Sequence, residues 1–396
     1  MKKDWEYKTL KEISIIYGNY GLSVSSIPYN GVRYLRITDI TENGELNDDK
    51  VSADISSGKT QEELQEGDIL FARTGATVGK TLIYRKEFGK CLFAGYLIRY
   101  RLNKDIVIPQ FIHHFTHSSG YYKWVSSNQK AAAQPNIGAK IYNELRIPVP
   151  PLSEQKDIVE YLDSSFAKID KLKENAAKNL EEAKALFQSA LKDAFEPKEG
   201  WEEKTMDEIV DINTPISYGI VQPGDDVPDG IPVVRPVDLI AKNISLNDNI
   251  KRTAKENSES YKRTILNGKE ILMCVRGTTG IVSLTDETLK NCNVTRGIVP
   301  LKITDETLRL FVYYTIIAPV ASEYIQHNTK GAALKQINIA DVKKIPVALP
   351  SPQEQQSIVS FLDSLNEKVN TLQQNYSRIC DECDALKQAI LRQVFE

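Results

Sequence analysis

The sequence predicts a mixed α/β (α+β) protein with two mixed α/β domains separated by two long antiparallel coiled-coil helices, related by a pseudo-two-fold internal repeat. Three observations predict this fold. Residues 150–196 align without a gap to residues 350–396, and 18 of the 47 positions are identical. The sequence before each segment repeats more loosely, and each segment has the apolar spacing of paired helices. Self-similarity over such lengths indicates two copies of one structural unit.

The looser repeat sets the order of the domains. Landmarks that recur in the same order are Gly31, Arg36 and Asp39 in the first copy, and Gly230, Arg235 and Asp238 in the second. A further set is Gly67, Arg73 and Gly75, which correspond to Gly268, Arg276 and Gly277. The predicted boundaries are a first domain at 1–150, a first helix at 151–199, a second domain at 200–350 and a second helix at 351–396.

The sequence predicts that both repeated segments, 150–196 and 350–396, are long helices that pair through a heptad seam of apolar side chains. The seam residues predicted for the first helix are Ile158, Leu162, Ile169, Leu172 and Leu186, and those for the second are Leu362, Val369, Leu372, Ile379 and Leu386. Ser351, Pro352 and Glu354 supply a capping box with proline at the first helical position. At 1.5 Å per residue each helix is about 65 Å long. Antiparallel pairing predicts a dumbbell whose termini lie close together, and two similar heads at a fixed spacing suit a target with two separated halves, such as duplex DNA half-sites.

Composition and charge narrow the class of protein. The chain is 41% hydrophobic and 26% charged, as in ordinary globular proteins. No stretch approaches the roughly 18 apolar residues of a membrane helix, and the N-terminus lacks the core of a signal peptide, so we expect a cytoplasmic protein with no membrane partner. The net charge is −3, yet residues 1–150 carry 20 basic against 16 acidic residues. This local excess of positive charge permits DNA binding on part of the surface.

One segment resembles a phosphate-binding loop. Gly75 and Gly79 are followed by Lys80 and Thr81, but only three residues separate the glycines, where a P-loop requires four. The second copy has no Lys-Thr pair at this place. Nucleotide binding is therefore disfavoured, and two readings stay open: a turn that presents Arg73 and Lys80 to DNA phosphates, or a purely structural glycine turn.

The sequence predicts no catalytic residue, metal site or cofactor. His113 and His117 are four residues apart, but they lack the glutamate of a metalloprotease helix, and packing is favoured over metal binding. Cys380 and Cys383 form a lone C-x-x-C in a helical segment, for which a zinc site is disfavoured. A methyltransferase would need a glycine-rich cofactor motif and a D-P-P-Y type segment, and neither is present in the sequence.

The junctions I-P-V-P-P-L-S-E-Q and I-P-V-A-L-P-S-P-Q-E-Q, the segment G-D-I-L-F-A-R-T-G and the loop A-A-Q-P-N-I match a known family. The chain resembles the specificity (S) subunit of type I restriction–modification systems over essentially its whole length. The resemblance implies two target-recognition domains that each read one half of a bipartite DNA sequence. It also implies that the paired helices set the spacer and dock two methyltransferase subunits, and that restriction subunits join this core. The second loop departs from the pattern because it is shorter and lacks the proline.

Side chains that read or contact DNA are expected in loops and at strand ends, because Arg and Lys recognise guanine and Asn and Gln recognise adenine in the major groove. The candidates in the first domain are Arg33, Arg36, Arg73, Lys80, Lys123, Asn128, Gln129, Lys130, Gln134 and Asn136. The candidates in the second domain are Arg235, Arg252, Arg263, Arg276, Lys330, Lys335 and Gln336. Two other classes of function stay open: a coiled-coil adaptor that binds proteins through its two heads, and a self-contained enzyme with an unrecognised site.

Overall fold

A computed structural model describes residues 5–58, 60–129, 135–331 and 334–396. Its contacts divide the chain into two units. Unit 1 comprises Met1–Ala177 and Tyr376–Glu396, and unit 2 comprises Lys178–Asn375. Both units therefore contain part of each conserved helical segment, because the division falls within the long helices.

Unit 1 is built on a four-stranded antiparallel sheet in the order β2-β9-β6-β7, with three further strand pairs, β1·β10, β3·β5 and β4·β8. Its strands are β1 (Glu6–Thr9), β2 (Ser14–Tyr20), β3 (Ser26–Pro28), β4 (Arg33–Leu35), β5 (Val51–Ala53), β6 (Ile69–Ala72), β7 (Thr81–Ile83), β8 (Cys91–Phe93), β9 (Leu97–Leu102) and β10 (Arg146–Val149). Its helices are α1 (Pro109–Phe115), α2 (Ser119–Asn128), α3 (Ala139–Asn143), the first part of α4 (Leu152–Ala194) and the last part of α10 (Pro352–Phe395).

Unit 2 repeats this plan. Its strands are β11 (Glu202–Thr205), β12 (Ile231–Val234), β13 (Asn243–Ile244), β14 (Arg252–Thr253), β15 (Glu270–Cys274), β16 (Val282–Thr285), β17 (Asn293–Val294), β18 (Ile298–Lys302) and β19 (Pro346–Leu349). Its helices are the last part of α4, α5 (Met206–Ile209), α6 (Lys255–Glu259), α7 (Glu306–Ile317), α8 (Pro319–Asn328), α9 (Ile339–Lys343) and the first part of α10 (Pro352–Phe395). The main sheet has the order β13-β16-β15-β18, and β11 pairs with β19 as β1 pairs with β10.

The central strand of unit 1 is buried on both faces. Alternate residues of a strand point to opposite sides, and all four residues of β6 are inaccessible to solvent. Phe71 faces a core that includes Tyr100 and Tyr142. Leu70 faces a second core that includes Leu82 and Phe93. Two apolar layers therefore hold the end of β6, where the chain turns at Arg73, in a fixed position.

The repeated segments form continuous helices of 43 and 44 residues, α4 and α10, as the predicted fold with two long helices requires. Within unit 1 they run antiparallel, because Asp170 pairs with Lys387 over 2.6 Å while Lys173 pairs with Asp384 over 2.7 Å. A glutamine in the first turn of each long helix donates a side-chain hydrogen bond to the carbonyl of the proline five residues earlier. In unit 1 Gln155 donates to Pro150, and in unit 2 Gln355 donates to Pro350.

The heptad seam was partly wrong. Ile158, Leu162, Ile169, Leu362 and Val369 are buried, and Ile379 is half-buried. Four predicted seam residues are exposed instead: Leu172 (54%), Leu186 (59%), Leu372 (36%) and Leu386 (50%). The buried stripe of α4 follows a spacing of 11 residues, seen at Ile158, Ile169, Leu180 and Leu191. A straight helix with 3.6 residues per turn drifts by roughly 20° per heptad, so a strict 3.5-residue repeat leaves the interface.

Both ends of the described chain pack in unit 1. Trp5 and Phe395 each contact the ring of Phe111, with centroids 6.3 and 5.4 Å apart. The equivalent contact in unit 2 joins Phe195 to Phe311 over 5.1 Å, at the point where the chain runs on towards β11. The two termini therefore occupy the place that a continuous connection occupies in the other unit.

Candidate nucleic-acid interface

A turn at the end of β6 brings two distant polar segments together in unit 1. The carbonyl of Arg73 accepts a hydrogen bond from Ile137 N over 2.9 Å, and Gly75 N donates to Pro135 O over 3.0 Å. The Arg73 guanidinium lies 4.9 Å from the centre of the Tyr20 ring and donates from Nε to Asn136 Oδ1 over 3.3 Å. We call this surface polar edge 1 (Tyr20, Arg73, Asn136).

Unit 2 builds the same turn at the end of β15. The carbonyl of Val275 accepts from Ile337 N over 3.0 Å, and Gly277 N donates to Lys335 O over 2.8 Å. Val275 therefore takes the place of Arg73, and Arg276 the place of the next residue. The sequence alignment of Arg73 with Arg276 was wrong by one residue, because an Arg and a Gly recur close together in both copies and only the hydrogen bonds fix the register.

Four residues predicted from the sequence meet at this turn. Arg276 and Lys330 both form backbone bridges to Gln336, and Lys335 adjoins it. We call this surface polar edge 2 (Arg276, Lys330, Lys335, Gln336). Among the residues that the structure describes, none of its three basic side chains forms an ion pair. Its positive charge is therefore not neutralised by any ion pair within the described ranges of the chain.

Two arginines predicted to contact DNA form ion pairs within their own loops. Arg36 contacts Asp39 through both Nε and a terminal nitrogen, at 3.1 and 2.7 Å. Arg235 contacts Asp238 in the same way, at 3.1 and 2.8 Å. The hydrogen bonds to Asp39 raise the pKa of Arg36 above its ordinary value. The two Arg–Asp pairs that correspond in the sequence therefore form the same ion pair in both units, and in each unit this ion pair holds one loop.

Other candidates are also occupied within the domains. Arg33 is buried and donates to the carbonyls of Asn47 and Asp49. Lys80 pairs with Glu42 over 2.7 Å, and Arg252 donates to Gly230 O over 3.1 Å.

The remaining candidates lie on helices or turns. Asn128 donates to Trp124 O one helical turn earlier. Lys123, Gln129 and Arg263 are exposed. Lys130 and Gln134 lie outside the described residues.

Three residues lie at or beside the polar edges although the sequence did not predict them there. Tyr20 supports the Arg73 guanidinium and also accepts a hydrogen bond from Ala139 N over 2.9 Å. The exposed Tyr96 accepts from Arg73 N over 3.0 Å. Arg296 is exposed beside the turn of polar edge 2. Only strand pairing brings these residues to the turn, so no local sequence pattern marks them.

The histidines form a packed pair. The rings of His113 and His117 are 4.5 Å apart, and His117 Nδ1 lies 2.7 Å from the carbonyl of His113. Burial lowers the pKa of His113 well below its ordinary value and lowers that of His117 in the same direction. Within the described ranges no three His, Cys, Asp or Glu side chains are grouped so that they could hold a metal ion.

The long helices carry exposed apolar side chains at repeated positions. In unit 1 these are Tyr161, Leu172 and Leu386, and in unit 2 they are Phe361, Leu372 and Leu186. We call these sets apolar flank 1 and apolar flank 2. Tyr161 and Leu172 lie about 20° apart around α4, because 11 residues make slightly more than three whole turns. Exposed apolar groups at matching positions on two equivalent helices indicate a docking surface.

Among the helices that the structure describes, none combines the length and the apolar character that a membrane span requires.

The two units thus repeat one α+β plan, and each presents arginine, lysine or amide side chains beside a fixed strand end. The chain belongs to the type I restriction modification DNA specificity domain family, whose model matches residues 2–182 and 198–379.

Curated relatives agree with this assignment. The chain is 27% identical over 302 residues to the EcoBI specificity subunit of Escherichia coli, which covers 70% of this chain and 63% of that relative. It thus spans slightly less than two thirds of that subunit. It is 25% identical over 402 residues to the putative MjaX specificity subunit of Methanocaldococcus jannaschii, covering 93% of this chain and 88% of that relative.

Solved structures share the fold. A chain from work on complex assembly and conformational transition of the type I R-M system matches with a TM-score of 0.79 at 19% identity, covering 100% of this chain and 98% of its own length. The HsdS subunit from Thermoanaerobacter tengcongensis matches with a TM-score of 0.58 at 19% identity, covering 100% of this chain and 97% of its own length.

Proposed function

We propose that the chain is the specificity subunit of a type I restriction–modification complex and that it recognises a bipartite sequence in double-stranded DNA. Each domain reads one half of the site. The chain directs adenine methylation and restriction, while partner subunits supply the catalysis and the cofactors. The boundaries 1–150, 151–199, 200–350 and 351–396 are our working division into recognition domains and spacer helices.

One observation carries this proposal. The two units build the same hydrogen-bonded turn, but place different side chains on it: Arg73 with Asn136 in one, and Arg276 with Gln336 in the other. A shared frame with different polar groups is what two readers of different sequences need, because base identity is read by the pattern of donors and acceptors in the groove. An adaptor would have no need for unneutralised basic groups at this turn.

The proposed DNA contacts centre on the polar edges. In unit 1 they are Arg73 and Asn136, with Lys123 and Gln129 exposed on the same domain; in unit 2 they are the residues of polar edge 2. Arg33, Arg36, Arg235 and Arg252 are instead assigned to holding the loops, since their guanidinium groups bond within the protein.

The partners follow from the family and from the helices. We propose that two methyltransferase subunits dock on apolar flanks 1 and 2, one on each, and that restriction subunits join the assembly. Two flanks of matching composition suit two copies of one partner, because equal surfaces accept equal subunits. We propose the cytoplasm as the site of this assembly.

Sequencing of DNA methylation tests the function. The chain is expressed with its methyltransferase in a host, and the methylated sequences are compared with those of a host that lacks only this chain. We expect methyladenine in a bipartite motif that depends on the chain. If the methyltransferase is expressed and folded but no dependent motif appears, the adaptor function replaces this proposal.

Exchange of one recognition domain separates the two readers. A hybrid that carries a different first domain is expected to change only one half of the motif. Hybrids that alter both halves together would contradict the assignment of one half-site to each domain.

A further inference from the structure

Two equivalent turns at the polar edges differ in their exposed side chains, because Gly95 and the exposed Tyr96 of unit 1 stand where unit 2 has Arg296 and Gly297. In unit 1 the turn before β9 has Gly95, whose N donates to Leu22 O over 2.7 Å. In unit 2 the turn before β18 has Arg296, whose N donates to Ile220 O over 2.8 Å. The following strand starts in the same way in both, since Leu97 N bonds to Ala94 O and Ile298 N bonds to Thr295 O. Arg296 thus adds a guanidinium where unit 1 has no side chain.

The backbone that carries Arg296 is held tightly. The next residue, Gly297, accepts from Val275 N over 2.8 Å. A Cβ atom on Gly297 would lie only 2.6 Å from Pro236 Cγ, so the turn is packed against that proline with no space to spare. The same Cβ position is 3.9 Å from Arg276 Cβ. Arg296 is therefore carried by a fixed turn whose next residue, Gly297, adjoins Arg276 of polar edge 2.

Arg296 is also available for a ligand. Arg235, Arg252 and Arg309 of the same unit bond to Asp238, to Gly230 O and to Glu306. Within the part of the chain that the structure describes, the exposed Arg296 side chain makes no hydrogen bond or ion pair. A guanidinium presents parallel N–H donors that match the O6 and N7 acceptors of guanine in the major groove.

We propose that Arg296 reads a guanine in the half-site recognised by the second domain. This inference rests on the proposed function and adds a specificity-determining residue to it. Because Gly95 stands at the same position in unit 1, the first domain lacks this contact. A base contact from a fixed turn discriminates among bases, whereas a phosphate contact would contribute affinity alone.

The test is the methylation motif of Arg296→Ala in the complete complex with its methyltransferase. We expect one guanine position in one half-site to become degenerate, with about a 10- to 100-fold loss of discrimination at that position. The other half-site is unchanged. Arg296→Lys keeps the positive charge but lacks the paired N–H donors of the guanidinium, so it should give an intermediate loss of discrimination. Thermal unfolding of Arg296→Ala is expected to match the parent, since glycine is accommodated at the equivalent turn.

Lys290→Ala is the control, because Lys290 is an exposed basic residue of the same unit whose side chain has no hydrogen-bond or ion-pair partner among the described residues. It should leave the motif intact. An Arg296→Ala motif that is unaltered at every position, or methylation that falls uniformly at all sites, would overturn the proposal. Failure of the unsubstituted chain to give any dependent motif would instead contradict the proposed function itself.

Discussion

Arg73 Nε donates a hydrogen bond to Asn136 Oδ1 over 3.3 Å, across 63 residues of sequence. This bond orients the amide, because the oxygen must face the guanidinium and the nitrogen points away. The guanidinium itself rests on the Tyr20 ring. An amide held in one orientation can present a donor and an acceptor in a fixed order, as contact with an adenine edge requires.

Asn136→Ala should therefore relax one position in the half-site of the first domain. The expected loss of discrimination is about 1–3 kcal/mol at that base pair. Gln336→Ala is the matched variant in unit 2 and should relax the other half-site alone. Methylation motifs of both variants provide the measurement, and relaxation of the same half-site by both would refute the separation of the readers.

Phe361→Ser should weaken binding of the methyltransferase to apolar flank 2. Phe361 is exposed, so its loss should leave the stability of the isolated chain nearly unchanged, while a buried aromatic anchor at an interface contributes about 2 kcal/mol or more. The dissociation constant of the complex, measured by calorimetry or light scattering, is expected to rise at least about 10-fold. Ile212→Ser, at an isoleucine 91% exposed outside the flank, is the control and should have no effect.

Tyr314→Phe should destabilise unit 2. The buried Tyr314 donates its hydroxyl to Asp363 and lies 3.1 Å from Lys242 Nζ. Removing the hydroxyl costs about 1–3 kcal/mol, because a hydrogen bond to a charged group is lost. Tyr313→Phe is the control, since the Tyr313 ring packs nearby without such a bond in the described structure. Equal urea midpoints for the two variants would contradict this assignment.

Acidification should destabilise unit 1 through His113 and His117. Burial lowers their pKa values, so the unfolded chain binds more protons than the folded chain below about pH 6.5. The contribution of the two neutral histidines to the free energy of unfolding is fully present above that pH. The free energy of unfolding then falls as the pH decreases, by at most about 1.4 kcal/mol per pH unit for each histidine. The charged groups near the pair include Arg85, which pairs with Glu45, and the Lys80–Glu42 ion pair, while His114 lies 2.8 Å from Asp163.

The measurement is the urea midpoint at pH 7.5 and pH 5.5. His117→Gln should reduce the difference between the two midpoints, whatever its effect on absolute stability. His327→Gln, at an exposed histidine, should not change that difference. An identical pH dependence in all three proteins would show that the buried pair does not control it.

A circular permutant opened near residue 199 should fold and assemble. Residues 196–200 are exposed, and Trp5 and Phe395 both contact Phe111, so a short linker can join the original ends. The readout is chain-dependent methylation by the permutant with its methyltransferase. Insoluble permutants at every linker length would argue against the location of the termini.

The sequence alone determined the repeat, the two long helices and the kind of protein. Each of these depends on local pattern: the gapless 47-residue repeat, the Ser351 cap, which accepts from Glu354 N over 3.3 Å, and the order of elements within each copy. Local pattern also matched Arg36–Asp39 with Arg235–Asp238, because these pairs are only three residues apart and form one turn.

Tertiary structure alone decided which side chains are available. The sequence predicted DNA contact for Arg36 and not for Arg296, yet Arg36 is held by Asp39 and Asp49 while Arg296 is exposed. Strand register placed Val275 rather than Arg276 at the position of Arg73. The phase of the long helix decided that Leu172 is exposed on apolar flank 1 while Leu180 is buried. These outcomes depend on contacts between residues far apart in sequence, and on a small drift in helical phase that accumulates over 43 residues, so no short window of sequence contains them.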